Sequence, residues 1–76
     1  MKLSEALERG KNRYWSHANI RKDPSNLDQW FVMLASNAQK PHMLVDEQES
    51  PIVSKDLNYF VELMSSLGVR EFTVFV

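Results

Sequence analysis

The sequence predicts a single small α+β domain with elements in the order α-β-β-β-α-β, which form a mostly antiparallel four-stranded sheet with one long helix packed on one face. The chain has 76 residues, too few to build two separate cores. Hydrophobic residues make up 43% of it, a content that argues against disorder. The order of helices and strands follows from the spacing of apolar residues. Alternating segments predict strands, segments with helical spacing predict helices, and turn residues separate them.

The first predicted element is a short helix over about residues 3–9. Leu3 and Ala6 share one helical face, Ser4 is a residue type that begins helices, and Gly10 is one that ends them. At barely two turns, this helix must pack against another element to persist.

Residues 13–21 alternate with a period of two, which indicates a strand. Because alternate residues of a strand point to the same side, we expect Tyr14, Ala18 and Ile20 to face the core. The opposite side is expected to be exposed and carries Trp15, His17, Asn19 and Arg21.

Two further strands complete a meander over about residues 13–47. Residues 29–35 are apolar on both sides of the predicted strand, so both sides should be covered. Residues 36–41 are predicted to form a hairpin loop, after which residues 42–46 return as the third strand.

A second helix is predicted over about residues 55–67, with Ser54 as its cap and Gly68 just past its end. The apolar stripe of this helix consists of Leu57, Phe60, Val61, Met64 and Leu67. Residues 71–76 alternate again and predict a fourth strand, which the sequence allows beside either the first or the third strand.

The predicted sheet has one more apolar face than the long helix can cover. Either the short first helix or a second copy of the chain must cover the other face, because monomers rarely leave such patches bare. Since most soluble oligomers are symmetric homodimers, we predict a homodimer, formed through sheet faces or through an edge strand.

The composition of the chain limits the cellular locations and the cofactors to be expected. The chain has no cysteine, which excludes disulfides and thiolate metal sites and is consistent with a cytoplasmic location. Its start is too polar for a signal peptide, and no apolar run approaches the ~20 residues of a membrane span. We therefore expect a soluble protein with no membrane association and no cofactor.

Charge is unevenly distributed along the chain. Residues 1–24 carry six basic and three acidic side chains, a net +3, and residues 25–76 carry three basic and seven acidic ones, a net −4. A fold that keeps these groups apart would have one positive and one negative end, which favours an acidic partner or self-association.

No catalytic or metal site is predicted. There is no glycine-flanked serine and no phosphate-cradling loop. His42 and Asp46 fall on one side of the third strand, but a structural zinc site needs four nitrogen or sulfur ligands at defined spacing. Because the sequence contains no assembled catalytic site, we expect the protein not to be an enzyme. The remaining possibility, a metal-dependent or hydrolytic enzyme, would require His17 and His42 to converge.

The favoured function is a small binding or regulatory module that acts through protein–protein contact, as a homodimer or with an unidentified protein partner. Aromatic and apolar side chains that are predicted to be exposed are the residue types that anchor interfaces. The interface candidates are Trp15, Tyr59, Phe75 and Val76.

The alternative function is weak, salt-sensitive nucleic-acid binding by residues 9–22, RGKNRYWSHANIRK, which hold five basic residues and no acid. Clustered basic side chains bind phosphates, and exposed aromatic rings stack on bases. The sequence pI of about 6.1 is low for a dedicated binder. The candidate residues are Arg9, Lys11, Arg13, Trp15, His17, Arg21 and Lys22.

Overall fold

The computed structural model describes residues 1–76 and contains two helices and one four-stranded sheet. In chain order the elements are α1 (Leu3–Gly10), β1 (Trp15–Asp23), β2 (Asn26–Ser36), β3 (Pro41–Met43), α2 (Leu57–Leu67) and β4 (Phe72–Val74). The prediction of a small α+β domain is confirmed. Neither helix is long and apolar enough to cross a membrane.

The sheet is mixed and its strands lie in the order β3-β2-β1-β4. Strand β2 pairs antiparallel with both β1 and β3, whereas β4 pairs parallel with β1. A parallel pair needs a long crossover connection, and α2 lies within it. The fourth strand therefore pairs beside the first strand rather than the third, and it forms one edge of the sheet.

Both helices contribute to a single core on one face of the sheet. The buried apolar side chains form one cluster, made up of Ala6, Trp15, Ala18, Ile20, Val32, Leu34, Leu44, Ile52, Phe60, Met64, Leu67 and Val69. Helix α1 contributes Ala6 to this cluster and contacts α2. It therefore does not cover the opposite face of the sheet, which was one of the two solutions that the sequence left open.

The opposite face, which we name the open sheet face, has no helix against it. The strand register places on it His17, Asn19 and Arg21 of β1, Phe31, Met33 and Ala35 of β2, Met43 of β3, and Thr73 and Phe75 at β4. Its apolar side chains lie mainly on β2 and β3, whereas β1 contributes polar ones.

A β-bulge at the start of β1 corrects the predicted orientation of Trp15. Trp15 pairs with Ser36, whereas His17 pairs with Ala35, so Ser16 is an extra residue in the ladder. The extra residue reverses the alternation and turns Trp15 to the core face, on which Ala18 lies. Trp15 is only 5% exposed, so the expectation of an exposed tryptophan is wrong.

The two glycines of the chain meet where the two helices end. Gly10 is the last residue of α1, and a Cβ atom on it would overlap the carbonyl oxygen of Leu67. Gly68 ends α2 with φ 76°, a left-handed conformation that glycine adopts at low cost. The missing side chains let the C-terminal ends of the two helices touch.

The cap of α2 lies two residues later than predicted. The carboxylate of Asp56, not the hydroxyl of Ser54, accepts a 3.0 Å hydrogen bond from the backbone N–H of Asn58. The Ser54 hydroxyl instead accepts a 3.0 Å bond from the backbone N–H of Asp56. Ser54 therefore orients the capping residue.

Candidate functional site

The outer edge of β4 is a free edge of the sheet. The N–H of Phe75 donates a 2.9 Å hydrogen bond to the carbonyl oxygen of Ile20, so this N–H points toward β1. Because N–H directions alternate along a strand, the N–H of Val74 points away from the sheet. Residues 72–76 contain no proline, charged residue or bulge, the features that normally protect edges from pairing.

The other edge of the sheet is shielded near β3. The N–H of Val45 donates to the carbonyl oxygen of Met1 at 2.9 Å, and the N–H of Leu3 donates to the carbonyl oxygen of Val45 at 2.8 Å. Residues 1–3 thus run beside the chain that follows β3. The β3 edge is therefore covered in part by residues 1–3, whereas the β4 edge is an uncovered apolar strand.

Exposed apolar side chains flank the free edge on both faces of the sheet. On the helical face, Val61 and Phe72 line a groove of about 440 Å³ between α2 and β4. On the open face, Phe75 lies 40% exposed beneath the guanidinium of Arg21, which is 4.0 Å from the ring centroid. We name this region the β4 edge surface, which comprises Val61, Phe72, Val74, Phe75 and Val76.

The structure separates the four predicted interface residues. Phe75 and the fully exposed Val76 belong to the β4 edge surface. Tyr59 is exposed on α2 but about 200° around the helix from Val61, so it does not line the groove beside β4. Trp15 is buried in the core and does not belong to the β4 edge surface.

The basic stretch of residues 9–22 does not form one strip. Arg9 lies over the ring of Tyr14, 4.9 Å from its centroid, and its guanidinium is 3.8 Å from the carboxylate of Glu5. Lys11 and Arg13 lie at the helix junction, where they line a separate cleft. These three cations therefore already lie on more than one surface.

The remaining members of the stretch lie on the two faces of the sheet. Arg21 and His17 are on the open sheet face, where they neighbour β4. Lys22 is on the helical face, with its ammonium 5.4 Å from the ring centroid of Trp30. With Trp15 buried, no continuous track of phosphate-binding and base-stacking groups is formed.

The two histidines lie on opposite faces of the sheet. His17 Nε2 is 3.1 Å from the hydroxyl of Thr73 on the open face. His42 pairs with Leu34 on the core face, and its ring centroid is 5.6 Å from that of Trp15. The two imidazole rings therefore do not converge.

Asp46 has a local structural role in the loop after β3. Its carboxylate accepts hydrogen bonds from the backbone N–H groups of Gln48 and Ser50, at 2.9 and 3.0 Å. No group of three or more histidine and carboxylate side chains comes together in the structure.

The carboxylate of Asp23 accepts several hydrogen bonds at the turn between β1 and β2. The side-chain amide of Gln29, followed by the hydroxyl and backbone N–H of Ser25, donates hydrogen bonds to this carboxylate and lowers its pKa. The donor distances are 2.8, 2.7 and 2.9 Å. The charged carboxylate orders the turn between β1 and β2.

Sequence reasoning missed two residues at the surfaces described above. Val61 belongs to the predicted apolar stripe of α2 and was expected to be buried, but it is 44% exposed beside the free edge. Arg70 joins Lys11 and Arg13 in the cleft at the helix junction. The only sequence feature that could have indicated the exposure of Val61 is the large width of the apolar stripe on α2. No sequence feature indicated the position of Arg70.

Comparisons of the chain with protein-family models, with curated proteins and with solved structures give no match.

Proposed function

We propose that this protein is a small protein-interaction module that forms a homodimer by antiparallel pairing of two β4 edges. The observation that supports the proposal is the free edge of β4, which has exposed apolar side chains on both faces and none of the usual protection against pairing. Pairing of this kind adds a strand to an exposed sheet edge, and main-chain hydrogen bonds supply much of the affinity.

The direction of the backbone groups defines the pairing. Because the N–H of Phe75 points to β1, the outward groups belong to Phe72, Val74 and Val76. A two-fold axis beside Val74 places this residue opposite its copy. Phe72 of one copy then lies opposite Val76 of the other, which gives an isologous interface.

A stable dimer needs contacts from the side chains that flank β4, because backbone pairing of three residues buries little surface. A standard interface takes about 800 Å² from each partner, which is about a sixth of the 4974 Å² surface of this chain. Contacts from Val61 on one face and Phe75 on the other enlarge the buried area. We expect dissociation in the micromolar range, the range of small and transient interfaces.

The test is the molar mass of the protein as a function of concentration, measured by sedimentation velocity. The native chain should shift from monomer toward dimer mass across the micromolar range. The variant Val74→Pro should remain monomeric, because proline removes the outward N–H and leaves the inward bonds to β1 in place.

Leu27→Lys is the matched control. Leu27 is 66% exposed at the start of β2, which β1 separates from β4, so this variant should dimerise as the native chain does. A monomer mass for the native chain at every concentration contradicts the proposal. A dimer that persists in Val74→Pro contradicts the edge geometry. A non-enzymatic role, a cytoplasmic location and a further protein partner stay predictions from the sequence.

A further inference from the structure

The largest depression of the surface lies where the two helices end. It is an open cleft of about 520 Å³. Its lining residues are Gly10, Lys11, Arg13, Trp15, Ser16, Asn37, Gly68 and Arg70. Three of these side chains are cationic and none is acidic.

The two glycines bring these cations together from distant parts of the sequence. A Cβ atom on Gly10 would overlap the carbonyl oxygen of Leu67, so any side chain at Gly10 would force the helices apart. The residues that follow each helix then leave the junction side by side. Lys11 and Arg13 arrive from α1, and Arg70 arrives from α2.

The two arginines have no partner within the protein. The only ion pairs in the structure are those of Arg9 with Glu5 and of Lys11 with Glu8. No side-chain hydrogen bond involves the guanidinium of Arg13 or Arg70, whereas the indole of Trp15 is already bonded to the carbonyl oxygen of Ala6. Ten guanidinium N–H donors, about five from each arginine, are therefore free for a ligand.

The helix ends do not neutralise this charge. Each helix C-terminus carries the equivalent of about half a negative charge, so the two ends supply about one between them. Arg13 and Arg70 supply two positive charges, and Lys11 is already paired with Glu8. The cleft therefore keeps a positive excess that an anion can occupy.

The backbone around the cleft is irregular on the side of β1. Arg13 has φ 55°, a left-handed conformation that is uncommon for residues other than glycine. Three residues later, the bulge at Ser16 interrupts the β1–β2 ladder. Strained residues and bulges concentrate at binding sites, where they direct side chains that a regular strand would place elsewhere.

We propose that this cleft binds a phosphate group, with Arg13 and Arg70 as its ligands. Guanidinium forks match phosphate oxygens in geometry, and two of them from different elements fix a tetrahedral anion from two sides. The phosphate is carried either by a small molecule or by a nucleic-acid backbone. This site is independent of the β4 edge surface and of the proposed dimer.

The test is an amide NMR titration of the full chain with pyrophosphate at constant ionic strength. Saturable shifts should be confined to the amides of Gly10, Ser16 and Gly68 and their neighbours. Arg13→Asn and Arg70→Gln should each weaken binding about tenfold, the effect of one lost charge-assisted hydrogen bond. Asparagine is chosen because it tolerates the left-handed conformation at that position.

Lys22→Gln is the matched control. It removes the same charge near the opposite end of β1 from the cleft, and it should not change the affinity. A parallel titration with a single-stranded oligonucleotide identifies the source of the phosphate. Binding of the oligonucleotide with shifts that extend to Arg21 assigns the site to a nucleic-acid backbone, and binding of pyrophosphate alone assigns it to a small molecule. Shifts that do not saturate, or that persist in both arginine variants, overturn the proposal.

Discussion

The indole Nε1 of Trp15 donates a 2.9 Å hydrogen bond to the carbonyl oxygen of Ala6, and both residues are buried. The bond joins the first residue of β1 to the middle of α1, nine positions earlier in the chain. A helix of barely two turns is not stable by itself, so α1 depends on contacts of this kind. The bulge at Ser16 makes the bond available by turning the indole toward the helices.

We expect Trp15→Phe to lower the free energy of unfolding by about 2 kcal/mol, because it removes a buried hydrogen bond and leaves part of the indole volume empty. Chemical denaturation followed by circular dichroism measures the change. Trp30→Phe is the control, since Trp30 is only partly buried and its indole makes no hydrogen bond; its cost should stay below about 1 kcal/mol. Equal costs for the two variants would contradict the role given to the Ala6 bond.

Gly10→Ala should destabilise the protein although alanine favours helices. In a free helix the exchange gains up to about 1 kcal/mol from helix propensity. Here the new Cβ atom would overlap the carbonyl oxygen of Leu67, a backbone atom that can move only if the two helices separate. We expect a net loss of about 2 kcal/mol or more in thermal or denaturant unfolding, within the range of overpacking.

Gly68→Ala is the comparison for the same junction. Its Cβ would lie 3.2 Å from the carbonyl oxygen of Gly10, a tight but adjustable contact, and its φ of 76° costs an alanine about 1–2 kcal/mol. Gly68→Asn should cost less than Gly68→Ala, because asparagine tolerates this conformation. A stabilising effect of Gly10→Ala would show that the helices do not touch at this point.

The periodicity of the sequence was sufficient to predict the helices and strands, but it did not indicate the β-bulge at Ser16. Alternation from residue 13 to 21 correctly placed Ala18 and Ile20 inward, because nothing interrupts the ladder there. One extra residue at Ser16 reversed the side of Trp15. A bulge of this kind depends on how two strands pair, which one strand's pattern does not reveal.

The surfaces were less predictable than the elements, because they depend on strand order and helix placement. The position of β4 beside β1 decides that Phe75 lies at an edge and neighbours Arg21. The contact between the helix ends decides that Arg70 joins Arg13. Both relationships join residues more than 50 positions apart, and local spacing contains no information about them.

The turn at Asp23 should lose stability in acid. Hydrogen bonds from Gln29 and Ser25 lower the pKa of this carboxyl, so the folded state favours the charged form. The stabilisation is fully present above the ordinary aspartate pKa of about 3.9 and disappears as the pH falls through the lower, folded-state pKa. Carboxyl NMR titration should show the pKa of Asp23 returning toward its ordinary value in Gln29→Ala, and an unchanged value would contradict the assigned cause. The destabilisation caused by Asp23→Asn should also shrink in strong acid.

The two routes to a dimer that the sequence left open, edge pairing and packing of sheet faces, are separated by lysine substitutions. Phe75→Lys removes an apolar contact of the β4 edge and brings a positive charge from each copy close to the two-fold axis beside Val74. Repulsion between the two copies should then weaken an edge dimer at least tenfold. Met43→Lys places the same charge on the far side of the open sheet face, where Met43 is 39% exposed at β3, and should leave an edge dimer intact. Packing of two open faces would bury both positions, and both variants would then reduce the dimer mass in sedimentation velocity. An effect of Met43→Lys as large as that of Phe75→Lys would therefore exclude edge pairing as the main contact.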